Sequence, residues 1–238
     1  MGSDSHEQHA LLTDYANAAA YSQAFYTLFA NIRFHWESEQ RAAVQEPGVT
    51  FRSQVHTLLI TSASAYKDQL TVAANLAIVA AQSGSETVLV DADLRTPSVR
   101  QCFGLAPSTG LSELLEEKDL TMQSITACLQ PTFVSGLRVL SAGTIREQGT
   151  ALMLSPRLEA VTTGVREIVA ASEKQPGIVI YHCAPVLSGP DASLVGALAE
   201  QTVLTVIMGK TTRAQAKQAQ EQLQQAHIKL AGVIMLHP

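Results

Sequence analysis

The chain has 238 residues, 46% hydrophobic and 16% charged, with a net charge of -5 at pH 7 and three cysteines. That length suits one α/β domain with a large buried core, and the acidic balance excludes a general nucleic-acid binder. No apolar run approaches the roughly 18 residues that a membrane span needs, so any membrane role is expected to run through a partner rather than direct insertion. Cys102, Cys128 and Cys183 lack metal-ligand spacing, and no basic-then-apolar leader precedes them, which points to a reducing cytoplasm.

Residues 1–9 read as a polar tail in which His6 and His9 are solvated rather than ligating. From 10 to 34 the pattern predicts a helix whose apolar stripe runs through Tyr21, Ala24, Phe25, Leu28, Phe29 and Ile32. Such a stripe ordinarily docks on its own domain; Tyr26 and Phe29 keep a partner or self-association face as the alternative. Residues 36–54, punctuated by Pro47 and Gly48, read as a surface connection. The organisation expected is therefore a helix and connection over 10–54 and one domain over 55–238.

The most informative stretch is Leu58 to Asn75, LLITSASAYKDQLTVAAN, in which a buried-strand run leads through a loop into an apolar helix. That is the layout of the phosphate-binding pattern G-x-x-x-x-G-K-[S/T], whose glycines let backbone N–H groups close on phosphate. Its Lys reaches the terminal phosphates and its hydroxyl holds magnesium. In this register the pattern positions fall on Ala63, Asp68, Gln69 and Leu70. Removing one charge-assisted hydrogen bond to phosphate costs roughly 1.5 to 3 kcal/mol, and Asp68 adds a negative charge where a triphosphate would lie. Lys67 is the nearest cation, beside Tyr66 where a small residue is expected. The plain reading is a polar strand-to-helix turn.

Thr87 to Val90 is a short β-branched run ending in Asp91-Ala92-Asp93, and residues two apart on a strand share a face. Carboxylates at a strand's C-terminal end sit where open parallel sheets bind ligands. Either they position magnesium and water, or they cap the next turn or pair with Arg95. Beyond them, Thr96-Pro97 and Gly110 to Leu115 start short helices, a poorly patterned stretch follows, and Leu137 to Leu140 is an apolar run. Helix is predicted over 152–171, strand over 177–181, helix over 191–200, strand over 202–208, helix over 213–226 and strand over 230–236. The Gly177 to Tyr181 strand ends at His182, and a neutral imidazole does not suit a hard cation that wants oxygen ligands. The alternation predicts a three-layer α/β fold, a mostly parallel sheet covered by helices on both faces and preceded by a helix.

Residues 24–32 (AFYTLFANI), Ala73 to Ala77, Val88 to Pro97, Gly110-Leu111-Ser112, Val139 to Gly143, Ser155-Pro156-Arg157 and Asp191-Ala192 together resemble the bacterial tyrosine kinases of capsule and exopolysaccharide export. The resemblance spans about residues 20–236 and implies the phosphate-loop NTPase fold. It also implies a polysaccharide setting, with a membrane polysaccharide co-polymerase or chain-length-determinant protein as partner and recruitment to the inner membrane. Against that pattern Tyr66, Asp68, Gln69 and Leu70 replace the phosphate loop, His182 replaces a strand-end Asp, and Thr71, Asp91 and Asp93 alone remain of the nucleotide site. The family's self-association helix carries Glu and two Arg where this chain has Gln23, Tyr26 and Phe29, which become the expected oligomer or partner contacts. The expectation is a kinase-like docking or regulatory subunit that is not an enzyme, with no catalytic residue, cofactor or metal. The alternatives are an active, divergent tyrosine kinase or ATPase using Mg-ATP and Lys67, and a pilus-assembly localisation protein with a worn phosphate loop.

Overall fold

The computed structural model describes residue 11 and residues 19–43, 55–66, 69–145, 149–172 and 176–237. The expected tail at 1–9 and residues 44–54 of the connection expected over 36–54 lie outside the described residues, as do Lys67 and Asp68. The strands are β1 (His56–Ser62), β2 (Thr87–Asp91), β3 (Leu129–Pro131), β4 (Leu137–Leu140), β5 (Ile178–His182), β6 (Gln201–Ile207) and β7 (Leu230–Leu236). They form one seven-stranded sheet in the order β3-β4-β2-β5-β1-β6-β7. Every pairing is parallel except that of β3 with β4. Leu58, Leu59, Ile60, Val88, Leu89 and Val179 have no exposed surface. Strands buried on both faces become near-continuous apolar runs, which is why the short strands were readable.

The helices are α1 (Ala19–Ala43), α2 (Gln69–Gln82), α3 (Val99–Cys102), α4 (Leu111–Glu116), α5 (Met122–Cys128), α6 (Gly149–Met153), α7 (Arg157–Ala170), α8 (Asp191–Gly196) and α9 (Arg213–Gln225). One apolar layer joins the sheet to α4, α5, α7, α8 and α9. The other joins it to α1, α2 and α3. Helix α2 is buried along almost its whole length because α1 covers its outer side; its alanines let the three layers approach closely. Buried Asn75 on α2 donates to the Tyr21 hydroxyl on α1 at 3.0 Å, so the amide is not orphaned by that burial.

Three sequence expectations change. The first helix runs to Ala43 rather than ending at Phe34, because no Gly or Pro interrupts it. Trp36, only 3% exposed, anchors its second half by stacking on His56 at a centroid distance of 4.4 Å. The helix expected over 152–171 divides into α6 and α7 at Leu154–Pro156, since proline lacks the N–H that an interior helical position must donate. The poorly patterned stretch holds α5 and the edge strand β3. A Thr121-x-x-Ser124 cap was its signal, with Ser124 N–H donating to Thr121 Oγ1 at 3.1 Å.

The expected contact residues on α1 separate. Phe29 is 4% exposed within the core shared with α2, so the domain itself covers the ring and it does not face a partner. Tyr26 is 40% exposed and donates its hydroxyl to Gln82 Oε1 at 2.9 Å, while Gln23 is exposed. The reason is helical periodicity: three residues advance about 300° around the helix, enough to turn Phe29 inward while Tyr26 stays at the rim.

Candidate functional site

The C-terminal ends of β1, β5 and β2 lie side by side, so the loops after them share one crevice at the position where open α/β sheets bind ligands. Ser62 closes β1 and Gln69 opens α2, the place the phosphate-loop pattern gives to lysine. The Gln69 side chain is turned back into the protein. Ser62 Oγ donates to its Oε1 at 2.9 Å, and its Nε2 donates to the carbonyl of Cys183, just beyond β5, at 2.8 Å. Leu70 points into the core at 2% exposure and Thr71 is half-buried in the first turn of α2.

Tyr66 is tied to the other neighbour of β1. Its hydroxyl lies 2.7 Å from Thr205 Oγ1 on β6. Because Thr205 Oγ1 donates its proton to the Thr61 carbonyl at 3.1 Å, the Tyr66 hydroxyl is the donor in that pair. The bulky residue in the loop thus gains a buried anchor.

The loop after β2 keeps both carboxylates, and the structure gives each of them backbone to hold. Asp91 Oδ2 accepts from the N–H groups of Ser98 and Val99, both at 3.0 Å, and Oδ1 accepts from Asp93 N–H at 3.3 Å. It caps the start of α3 from the end of β2. Complete burial raises its pKa from 3.8 to about 7; the three N–H donors oppose that rise and the Asp93 charge adds to it. Asp93 Oδ1 accepts from the N–H groups of Arg95 (3.2 Å) and Thr96 (2.9 Å), and Oδ2 accepts from Thr96 Oγ1 (2.7 Å). Of the two structural roles open to these carboxylates, capping is the one they take. Arg95 pairs with Asp191 at the start of α8 instead, at 2.9 Å, and also donates to the Ser188 carbonyl.

His182 ends β5 between Ile60 of β1 and Asp91 of β2 in register, 2% exposed. Its carbonyl accepts from Ala92 N–H at 2.7 Å. Cys183 follows, fully buried, with its thiol pushed well above the ordinary range by burial and then by the negative charges of Asp191, Asp93 and Asp91. The structure therefore brings Tyr66, Gln69, Asp91, Asp93 and His182 to the same end of the sheet, with Leu70 in the core. Sequence reasoning missed Ser62, Cys183, Asp191 and Thr205 as members of this network. All but Asp191 lie on or just past strands next to or including β1, a signal that pairing order alone could have exposed.

In this arrangement the crevice side chains are turned toward the protein. The amide at the lysine position and both carboxylates already hold partners within the protein, and apolar Leu70 stands at the hydroxyl position.

No protein-family profile matches the chain. It is 35% identical over 182 residues to the tyrosine-protein kinase YwqD of Bacillus subtilis, covering 76% of this chain and 72% of that protein. Among solved structures it resembles the chimerical protein CapA2B2 with a TM-score of 0.76 at 26% identity, over 94% of this chain and 88% of that one. It also resembles the kinase domain of the Escherichia coli tyrosine kinase ETK with a TM-score of 0.67 at 25% identity, over 76% of this chain and 67% of that one. These likenesses correct the expectation of a non-enzyme: YwqD is named as a tyrosine-protein kinase, and the ETK structure is a solved kinase domain. Missing phosphate-loop residues were too narrow a ground for that expectation, since it weighed four side chains against a domain-wide match. The chain belongs to the bacterial tyrosine-protein kinase family.

Proposed function

We propose that this chain is a divergent, ATP-dependent protein-tyrosine kinase domain that works in polysaccharide export beside a membrane polysaccharide co-polymerase. The observation that supports it most is the 35% identity to YwqD over 182 residues. The fold is that of the family, and Thr71, Asp91 and Asp93 are the residues that the resemblance keeps of its nucleotide site. Likeness to CapA2B2 over 94% of the chain supports the same domain architecture. No helix among the described residues is long and apolar enough to cross a membrane, so recruitment to the inner membrane is assigned to the partner. Lys67 is the cation the sequence supplies for phosphate, two positions from where the pattern puts it.

The test is phosphotransfer. The purified chain is incubated with Mg-ATP, alone and with the cytoplasmic segment of a co-polymerase, and phosphotyrosine is mapped by mass spectrometry. Phosphotyrosine that disappears in Lys67→Ala is the expected result. Its absence from both proteins, with the wild type folded, overturns the proposal.

A further inference from the structure

We propose, independently of the kinase reading, that the outer edge of β7 pairs with a second copy of this chain, so that two copies join antiparallel into one continuous sheet. Among the described residues β7 ends the sheet and pairs with β6 alone. Every residue of β6 is buried, whereas no residue of β7 is. Val233 and Met235 are 54% and 58% exposed, and Met208, just past β6, is exposed beside them. Lying two apart on the strand, Val233 and Met235 share one face. The strand LAGVIML contains no charged residue and no proline, two of the devices by which sheet edges ordinarily avoid pairing.

The backbone of that edge is complementary to itself. Met208 N–H donates to the Leu236 carbonyl at 2.9 Å, so Leu236 is one of the β7 residues that bond to β6. Successive residues of an extended strand turn their N–H and C=O groups to opposite edges. Ile234 therefore also faces β6, and Val233 and Met235 turn their backbone groups outward. An antiparallel neighbour exchanges both hydrogen bonds between residues that lie directly opposite. A two-fold axis beside Ile234 sets Val233 of one copy opposite Met235 of the other, twice over, which satisfies that condition. The same pairing lays each exposed side chain against an exposed apolar one of the other copy, an isologous contact that closes at two chains. Lys229, the charged residue nearest in sequence, falls past the end of the opposing strand, so no like charges meet across the seam. A different protein would have to supply a matching apolar edge, which a second copy already carries.

The experiment is sedimentation of the whole chain over a rising concentration series, comparing wild type with Val233→Lys/Met235→Lys, with thermal melting of both. The wild type is expected to approach twice the mass of the chain. The variant is expected to stay at the mass of one chain and to melt with the wild type, because both substituted side chains are exposed and lysine on an edge strand opposes pairing. Amide hydrogen exchange supplies a second readout that does not need the variant. The N–H groups of Val233 and Met235 should exchange slowly in concentrated wild type and lose that protection on dilution. A wild type that is monomeric throughout, or a dimer that persists in the folded variant, overturns the proposal. Protection at these two amides that is independent of concentration also overturns it, since residues of the same chain would then cover the edge.

Discussion

The loops leaving β1 and β2 lie close together at one end of the sheet and have diverged in opposite ways. The first has exchanged its phosphate-binding residues for Tyr66, Gln69 and Leu70, and the second retains Asp91 and Asp93. Their structures are nevertheless alike, since side chains in both are spent on the protein itself. Gln69 and Tyr66 fasten their loop to β5 and β6, while Asp91 and Asp93 fasten theirs to the backbone from Asp93 to Val99. A residue's identity can therefore persist while its free lone pairs do not. The replaced loop is held by neutral side-chain hydrogen bonds and the retained one by carboxylates on backbone N–H groups, which are roughly twice as strong when ionised.

If that contrast is right, disturbing the second loop costs more than disturbing the first. The largest effect is expected from pH. The folded-state pKa of Asp91 lies above its ordinary 3.8, at about 7. Its contribution to stability is therefore fully present below about pH 4 and is lost as pH rises toward 7. At about 1.4 kcal/mol per pKa unit the loss is at most about 4 kcal/mol. Denaturant melts from pH 4 to 8 should show it, and Asp91→Asn should flatten the slope; an equal slope in that variant would remove Asp91 as its source.

Next comes Asp93→Ala, which frees two backbone N–H groups and the Thr96 hydroxyl. A loss of about 3 kcal/mol in unfolding free energy is expected, and a loss under about 1 kcal/mol would mean that water replaces the carboxylate easily. Gln69→Ala removes two neutral bonds and should cost about 2 kcal/mol in the same melts. If it costs more than Asp93→Ala, the ranking of the two loops is reversed. The smallest effect is expected from Tyr66→Phe, which deletes one partly buried hydroxyl bond and should cost about 1 kcal/mol. A double variant with Thr205→Val should then cost little more than either alone, because both lose the same interaction.

Much of the domain was legible in the sequence because burial on both faces of a parallel strand leaves a short apolar run, as at Leu58 to Ile60 and Ile178 to Tyr181. The strand-end positions of Asp91 and His182 followed from those runs. Less legible were elements whose existence depends on neighbours. β3 is three residues long and is defined by its pairing with β4, and the second half of α1 depends on Trp36 finding His56.

The sequence by itself determined the sheet-and-helix alternation, the family, and which chemical groups stand at the crevice, because local periodicity and residue type are properties of the chain alone. Only the tertiary structure decided what those groups do there. Whether Asp91 caps α3 or faces a ligand, whether Phe29 packs inward or outward, and whether Gln69 reaches for phosphate or for the carbonyl of Cys183, 114 residues away in the chain, all depend on partners brought in by folding. A hydrogen-bonding group is committed by whichever partner lies within about 3 Å of it, and that distance is set by strand order rather than by sequence separation.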